Sequence, residues 1–173
     1  MVILGLGSNI GDREAYLAKA VKKLSVLLTD MRYSRVLESA ALLPPDAPPE
    51  FNRPYLNMAV AGETDFAPQA LLTEIKNIER ELGRVERCNW GPREIDIDIL
   101  AMDDTVLDAP PLFIPHRQLL NRDFVLLPLA DVAPDWNYPL QGKYFGETAM
   151  EIIAAKKYAL GTNLRDTGTI IHD

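Results

Sequence analysis

Trp90-Gly91-Pro92-Arg93-Glu94-Ile95-Asp96-Ile97-Asp98-Ile99-Leu100 is the stretch on which the fold turns. In its second half Ile95, Ile97 and Ile99 alternate strictly with Asp96 and Asp98, the period of two expected of a half-buried strand. The apolar side faces a core. The other side presents two carboxylates roughly 7 Å apart, because residues i and i+2 share a face and each residue rises about 3.3 Å. Aspartate is disfavoured in strands, so the pair calls for a partner. A hard divalent cation fits, since magnesium takes one or two carboxylates and completes its shell with water and phosphate oxygens. Arg93, three residues before Asp96, falls near the same charge. A solvated face of an antiparallel strand would give the same D-x-D pattern. Gly91 and Pro92 favour the first reading, because a rigid turn leading into such a strand is characteristic of a placed loop.

Around that stretch the composition sets limits. The chain has 173 residues, enough for one ordinary domain. Of these 47% are hydrophobic and 25% charged, as in globular proteins. A formal net charge of -7 and a pI near 4.9 argue against a general nucleic-acid binder. An anionic ligand must then be met locally, and Arg84, Arg87, Arg93, Arg117 and Arg122, with His116, form the available cluster. The single cysteine, Cys88, rules out an internal disulfide and reads as an incidental loop thiol in a reducing compartment. No apolar run reaches the roughly 18 residues of a membrane helix. The expectation is a cytoplasmic protein with neither nucleic-acid nor membrane partners.

Taken in order, Val2 to Leu6 reads as a short strand and Gly5-Leu6-Gly7-Ser8-Asn9-Ile10-Gly11 as a tight strand-to-helix turn. It is not a dinucleotide fingerprint, because the third glycine is one place late and no βαβ unit follows. A helix is expected from about Asp12 to Leu28, capped by Asp12 and striped by Leu17, Val21, Leu24 and Leu28. Met31 to Leu42 reads as a second strand of weaker alternation. Leu43 to Pro54 is a twelve-residue loop with five prolines, expected to act as a lid rather than a spacer. Tyr55 to Glu63 is a third strand with Tyr55 and Asn57 on one face, either an exposed strand end or an aromatic-amide pair able to read a flat heterocycle. Pro68 opens a helix striped by Leu71, Leu72, Ile75, Ile78 and Leu82, and Gly83 closes it. Glu79 borders that stripe as a solvated carboxylate, a partner for Arg80 or Lys76, or a holder of a ligand hydroxyl. The loop from Gly83 to Arg93 carries three arginines and Trp90, suited to closing over a phosphate chain. His116, flanked by proline and Arg117, is placed to donate to phosphate. Phe124 to Leu129 and the segment to Pro139 read as short strand or extended structure. A last helix is expected over Glu147 to Lys156, with a loosely ordered polar tail after Tyr158.

Together these motifs resemble the 6-hydroxymethyl-7,8-dihydropterin pyrophosphokinase family. The resemblance rests on Trp90-Gly91-Pro92-Arg93-x-x-Asp96-Ile97-Asp98-Ile99-Leu100, Gly7-Ser8-Asn9, Tyr55-Leu56-Asn57, Glu79 with Gly83-Arg84-Val85, and Pro115-His116 with Asn121-Arg122 and Phe124. It covers residues 1 to about 150. It implies a ferredoxin-like α+β sandwich with a mostly antiparallel sheet and helices on its faces, in keeping with the strand, helix, two strands, helix, strand order above. The implied reaction moves pyrophosphate from ATP to the hydroxymethyl group of a reduced pterin, releasing AMP. By the same resemblance two magnesium ions bind at Asp96 and Asp98, and Arg84, Arg93, Asp96 and Asp98 carry catalysis. The pterin would meet Ser39, Ala40, Leu42, Tyr55, Asn57, Trp90, Arg93 and Phe124. ATP would meet Lys76, Glu79, Arg87, Trp90, Arg93, Ile99, His116, Arg117 and Arg122. The unit is expected over residues 1–156, with 157–173 as a tail or linker. Fusion to, or association with, other folate-pathway enzymes is also implied.

The chain departs from the family pattern in places. Ser39-Ala40 stands where many members have Thr-Pro, Lys76 replaces a frequent glutamine, Phe113 replaces a small polar residue, and the arginine loop is slightly short. Two other readings share the D-x-D strand: a magnesium-dependent nucleotidyl- or phosphotransferase with another acceptor, and a non-catalytic ferredoxin-like binding module. Neither requires Tyr55, Asn57 and Phe124 as a set.

Overall fold

The computed structural model describes residues 1–85, 87, 90–156 and 164–172. Cys88 lies outside the described residues. Strand β1 (Val2–Ser8) is central, flanked by β5 (Asp96–Met102) on one side and β4 (Tyr55–Glu63) on the other, both antiparallel to it. Beyond β4 lie β2 (Thr29–Tyr33) and β3 (Arg35–Ser39), and β8 (Leu164–Ile170) pairs outside β3. With β2 and β3 counted as one strand, β1 to β5 and their two helices form the βαββαβ arrangement of a ferredoxin-like α+β sandwich. Every pairing of the described sheet is antiparallel.

Helix α1 (Arg13–Leu24) starts where Asp12 accepts a hydrogen bond from the Ala15 amide at 3.1 Å, as a capping aspartate should. It ends before the expected Leu28 because the chain turns at Ser25, yet Leu28 stays buried. Helix α2 (Pro68–Glu81) begins with proline in its first turn, and Gly83 after it takes the positive φ of a helix terminator. Both helices pack on one face of the sheet, where Leu17, Val21, Leu71 and Ile75 meet Ile97 and Ile99. Each fully buried branched aliphatic there contributes about 1.5–3 kcal/mol.

The other face is covered too. Helix α3 (Asp123–Val132) and helix α4 (Ala149–Lys156) lie over Ile3, Ala59, Ala61, Leu100 and Ala101. The expectation of strand or extended structure from Phe124 to Leu129 is therefore wrong. Pro128 sits inside α3, and Leu126, Leu129, Ala130 and Val132 are all buried. An apolar run interrupted by proline reads as strand, but burial against a second sheet face stabilises the helix instead.

Three further differences bear on the site. The single strand expected over Met31 to Leu42 is two, because the Ser34 hydroxyl takes the Ala59 amide proton at 2.8 Å in place of a ladder carbonyl. The tail is not loosely ordered throughout, since β8 joins the sheet edge opposite β5. A small hairpin of β6 (Leu107–Ala109) and β7 (Leu112–Ile114) follows β5 and leads to His116. Among the described residues no helix is long and apolar enough to cross a membrane.

Candidate active site

Sheet register builds the floor of a cleft lined by Gly5, Gly7, Asn57, Asp96 and Asp98. Gly7 pairs with Asn57 on one side and Asp96 on the other, and Gly5 pairs with Ala59 and Asp98. Cross-strand partners share a face, so two rows run across three strands: Asn57, Gly7, Asp96 and then Ala59, Gly5, Asp98. Along each strand the same face passes from apolar residues under α3 and α4 to polar or absent side chains beyond them: Ala61 and Ala59 to Asn57, Ile3 to Gly5 and Gly7, Leu100 to Asp98 and Asp96. The cleft opens where the helical layer stops. Arg122, Phe124 and Val125, at the start of α3, form one wall. Asn57 and Asp96, two strand spacings apart, stand about 10 Å from each other across bare glycine backbone.

Gly5 and Gly7 are thus strand residues, not part of the turn the sequence suggested, which is confined to the residues after Ser8. Their role was missed, although glycines two apart in a strand were the available signal. A Cβ at Gly7 would lie 3.5 Å from Asn57 Oδ1 and 3.5 Å from the Tyr55 ring.

Asn57, 7% exposed, donates from Nδ2 to the Ser39 hydroxyl at 2.9 Å, with the Leu37 carbonyl at 3.5 Å. The Leu37 carbonyl accepts only, which fixes Nδ2 on that side and leaves Oδ1 for the cleft as an acceptor. Tyr55, paired with Ser39 across β3 and β4, borders the same space, and burial pushes its phenol above the usual range. Ala40, Leu42 and Trp90 also line the cleft, Trp90 at 51% exposure and with a positive φ.

Cations surround the first carboxylate. Asp96 accepts from Arg93 at 2.6 Å and from Arg84 at 2.7 Å. Arg84 also donates to Glu79, which is 2% exposed, and Glu79 further accepts from the Ile97 amide at 2.7 Å and from Lys76. Burial would raise the Asp96 carboxyl, but Arg93, Arg84 and Lys76 outweigh it and hold it below its ordinary value. Asp98 behaves oppositely. Burial and the nearby Asp96 charge both push it up. His116 Nε2 lies 4.0 Å from Asp98, and its Nδ1 accepts from the Gln118 amide at 3.2 Å, so the neutral ring carries its hydrogen on Nε2. Burial depresses the imidazole despite the neighbouring Asp98.

Among the described residues no third His, Cys, Asp or Glu completes a metal cage. Two carboxylates on one strand face, the second raised by burial and by its neighbour's charge, are a donor set that could hold magnesium finished by phosphate and water. They do not fit a metal held by protein alone.

The remaining expected residues fall into four groups. Arg93 and Arg122 line the cleft, and the Arg122 guanidinium lies 5.9 Å from the Phe124 ring centre. Ile99 is buried under α1 and α2, so only its main chain, at the outer edge of β5, is open to a ligand. Arg117 is turned away: it stacks 3.4 Å above the Phe113 ring centre and pairs with Asp108 at 3.1 Å. Arg87 forms a bidentate pair with Glu94, at 2.6 and 2.9 Å. The sequence reading gave no role to Glu94, nor to Asn9 beyond its place in the Gly7-Ser8-Asn9 motif; the Asn9 Oδ1 accepts the Arg93 amide at 2.7 Å.

A family model described as 7,8-dihydro-6-hydroxymethylpterin-pyrophosphokinase matches residues 3–134. The 2-amino-4-hydroxy-6-hydroxymethyldihydropteridine pyrophosphokinase of Aquifex aeolicus is 44% identical over 142 residues, covering 82% of this chain and 86% of its own. A folate synthesis bifunctional protein of Chlamydia muridarum is 40% identical over 157 residues, covering 88% of this chain but 35% of its own. The wild-type HPPK-DHPS crystal structure from Plasmodium falciparum matches with a TM-score of 0.67 at 16% identity, over 95% of this chain and 47% of that one. At that identity the likeness shows the fold alone. The chain spans under half of that solved chain and about a third of the bifunctional relative.

Proposed function

Because the chain belongs to the 7,8-dihydro-6-hydroxymethylpterin-pyrophosphokinase family, we propose that it transfers pyrophosphate from ATP to the hydroxymethyl group of 6-hydroxymethyl-7,8-dihydropterin in folate biosynthesis. The pterin hydroxyl oxygen attacks the β-phosphorus, the bond from that phosphorus to the α,β-bridging oxygen breaks, and AMP leaves. The hydroxyl proton passes to solvent. One observation carries the reading: the row Asn57, Gly7, Asp96 brings an amide acceptor, a bare floor and a carboxylate onto one face.

The pterin ring lies over Gly7 between Tyr55 and Phe124, presenting N–H donors to Asn57 Oδ1. Ser39, Ala40 and Leu42 close its far side, and Trp90 and Arg93 cover it. The triphosphate crosses toward the β5 edge, where Arg93, Arg122 and His116 stand. Lys76 and Glu79 lie on the nucleoside side, and the Ile99 main chain offers the base a strand edge. Two magnesium ions at Asp96 and Asp98, bound with the triphosphate, would neutralise its charge. Arg84 and Arg93, which meet Asp96 in the free protein, are then within reach of the phosphates as charge develops on the leaving AMP. The protein's own contribution is orientation and exclusion of water, with no covalent intermediate.

The residues assigned to this reaction all lie within 1–156, and β8, beyond that bound, adds an edge strand to the same sheet. A cytoplasmic setting and association with other folate enzymes belong to the same proposal, the latter supported by relatives named as bifunctional. The test is AMP release from ATP and magnesium with the pterin acceptor, with mass detection of the product. AMP appearing in step with a pterin heavier by one pyrophosphate is expected. ATP binding without a pterin product would refute the acceptor.

A further inference from the structure

We propose that Glu94 is the positioning residue of the loop over residues 84–93, and that Arg87 is its fastening rather than a ligand of the ATP phosphates. Glu94 is 8% exposed, and among the described residues its ion-pair partner is Arg87 alone. Its carboxylate accepts both arms of the Arg87 guanidinium, at 2.6 and 2.9 Å, and approaches the Val85 amide at 3.4 Å. Arg87 donates once more, to the Pro92 carbonyl at 3.0 Å. The Glu94 carbonyl in turn accepts from the Ser8 hydroxyl at 2.6 Å, on the central strand. One carboxylate therefore joins the outgoing limb of the loop, Val85 and Arg87, to the returning limb, Pro92 and Glu94, and the returning limb is pinned to β1. Trp90 lies between the limbs and Arg93 adjoins the clamp.

Arg87 differs in this from its neighbours. Asp96 faces Arg84, Arg93 and Lys76 and stays compensated when one of them moves. Among the described residues Glu94 has no second cation, and a planar two-bond pair is the geometry arginine holds best. If Arg87 swung to a phosphate, it would leave a buried charge uncompensated, which is strongly unfavourable. Glu94 and Arg87 thus act on the reaction through Trp90 and Arg93, which the clamp holds over the cleft.

The inference rests on the proposed reaction, and the experiment separates the two. Glu94→Gln, Arg87→Gln and the double variant are compared with wild type for kcat, KM of each substrate, ATP affinity by calorimetry, and acrylamide quenching of tryptophan fluorescence. Trp136 is buried, so half-exposed Trp90 dominates the change in quenching. Each single variant is expected to lose about tenfold in kcat with increased quenching, the double variant being no worse than either. ATP affinity should stay within about twofold of wild type in all three. ATP weakened about tenfold or more by Arg87→Gln alone, or losses that multiply in the double variant, would overturn the proposal. Should Glu94→Gln fail to fold, Arg87→Lys decides: it keeps the charge but not the fork, so a fastening loses kcat as Arg87→Gln does, whereas a phosphate ligand retains it. A wild type that releases no AMP defeats the proposed reaction instead, and quenching then still reads the clamp.

Discussion

Replacing Gly7 with alanine should separate stability from binding. The new Cβ would meet Asn57 Oδ1 and the Tyr55 ring at 3.5 Å each, ordinary van der Waals contact, so the folded chain accepts it without rearrangement. Removing glycine's freedom in the unfolded chain stabilises by about 0.4–1 kcal/mol. For a chain of this length that is a rise of about 1–4 °C in melting temperature. The same methyl projects from the floor on which the pterin is proposed to lie. A ring pressed by one extra carbon loses about 1–3 kcal/mol, or about 5- to 150-fold in affinity. The assay pairs a thermal melt with calorimetric titration of the pterin and of ATP. A higher melting temperature, weaker pterin and unchanged ATP are expected. Pterin affinity within about twofold of wild type, despite the raised melt, would mean that the ring does not lie over Gly7.

Asp98→Asn should remove the repulsion that raises the Asp98 carboxyl beside Asp96 and so raise the melting temperature in metal-free buffer, while abolishing AMP release; near-normal turnover in saturating magnesium would refute its metal role. Asn57→Ala leaves the pterin's donors unpaired and should weaken pterin by about 1–3 kcal/mol, or about 5- to 150-fold, with little effect on ATP; equal losses for both ligands would reject the division of the site. For the Arg87–Glu94 pair the sign follows from Glu94, whose carboxyl the Arg87 guanidinium lowers from 4.5 to about 2. Its stabilisation is complete above about pH 4.5 and lost as pH falls toward 2. The stability gap between wild type and Glu94→Gln in urea melts should close over that window, and a gap that persists at pH 2 would contradict the pairing.

How much of this was legible in the sequence varied with the physics of each element. The Asp96/Asp98 alternation survives in β5 because one face is a core, and the amphipathic stripes of α1 and α2 survive because each helix buries only one side. Helix α3 was not legible: Leu126, Leu129, Ala130 and Val132 give an almost continuous apolar run, which has no period to read, and Pro128 points away from helix. β8 was missed because a polar edge strand containing Gly168 carries little alternation, and only its pairing with β3 defines it. In the site, charged and aromatic residues announce themselves, whereas Gly5 and Gly7 act through what they lack. Glu94 was given no role from the sequence. Its burial and its two-point hold on Arg87 exist only once the loop is folded back on itself.

The central strand is also the first strand of its sheet to be synthesised. Gly7 waits for Asn57 on one flank and for Asp96 on the other, so the middle of the sheet is completed by contacts far apart in sequence. Such topologies fold slowly, because loop closure is unfavourable before pairing compensates it. During translation the earliest strand therefore emerges with both edges open, and the cleft gains its second wall only after β5 has left the ribosome. A nascent chain halted before Asp96 would hold Asn57 on β4 between β1 and β3 but leave the other edge of β1 unpaired, exposed to aggregation and to chaperones, until the carboxylate strand closes it.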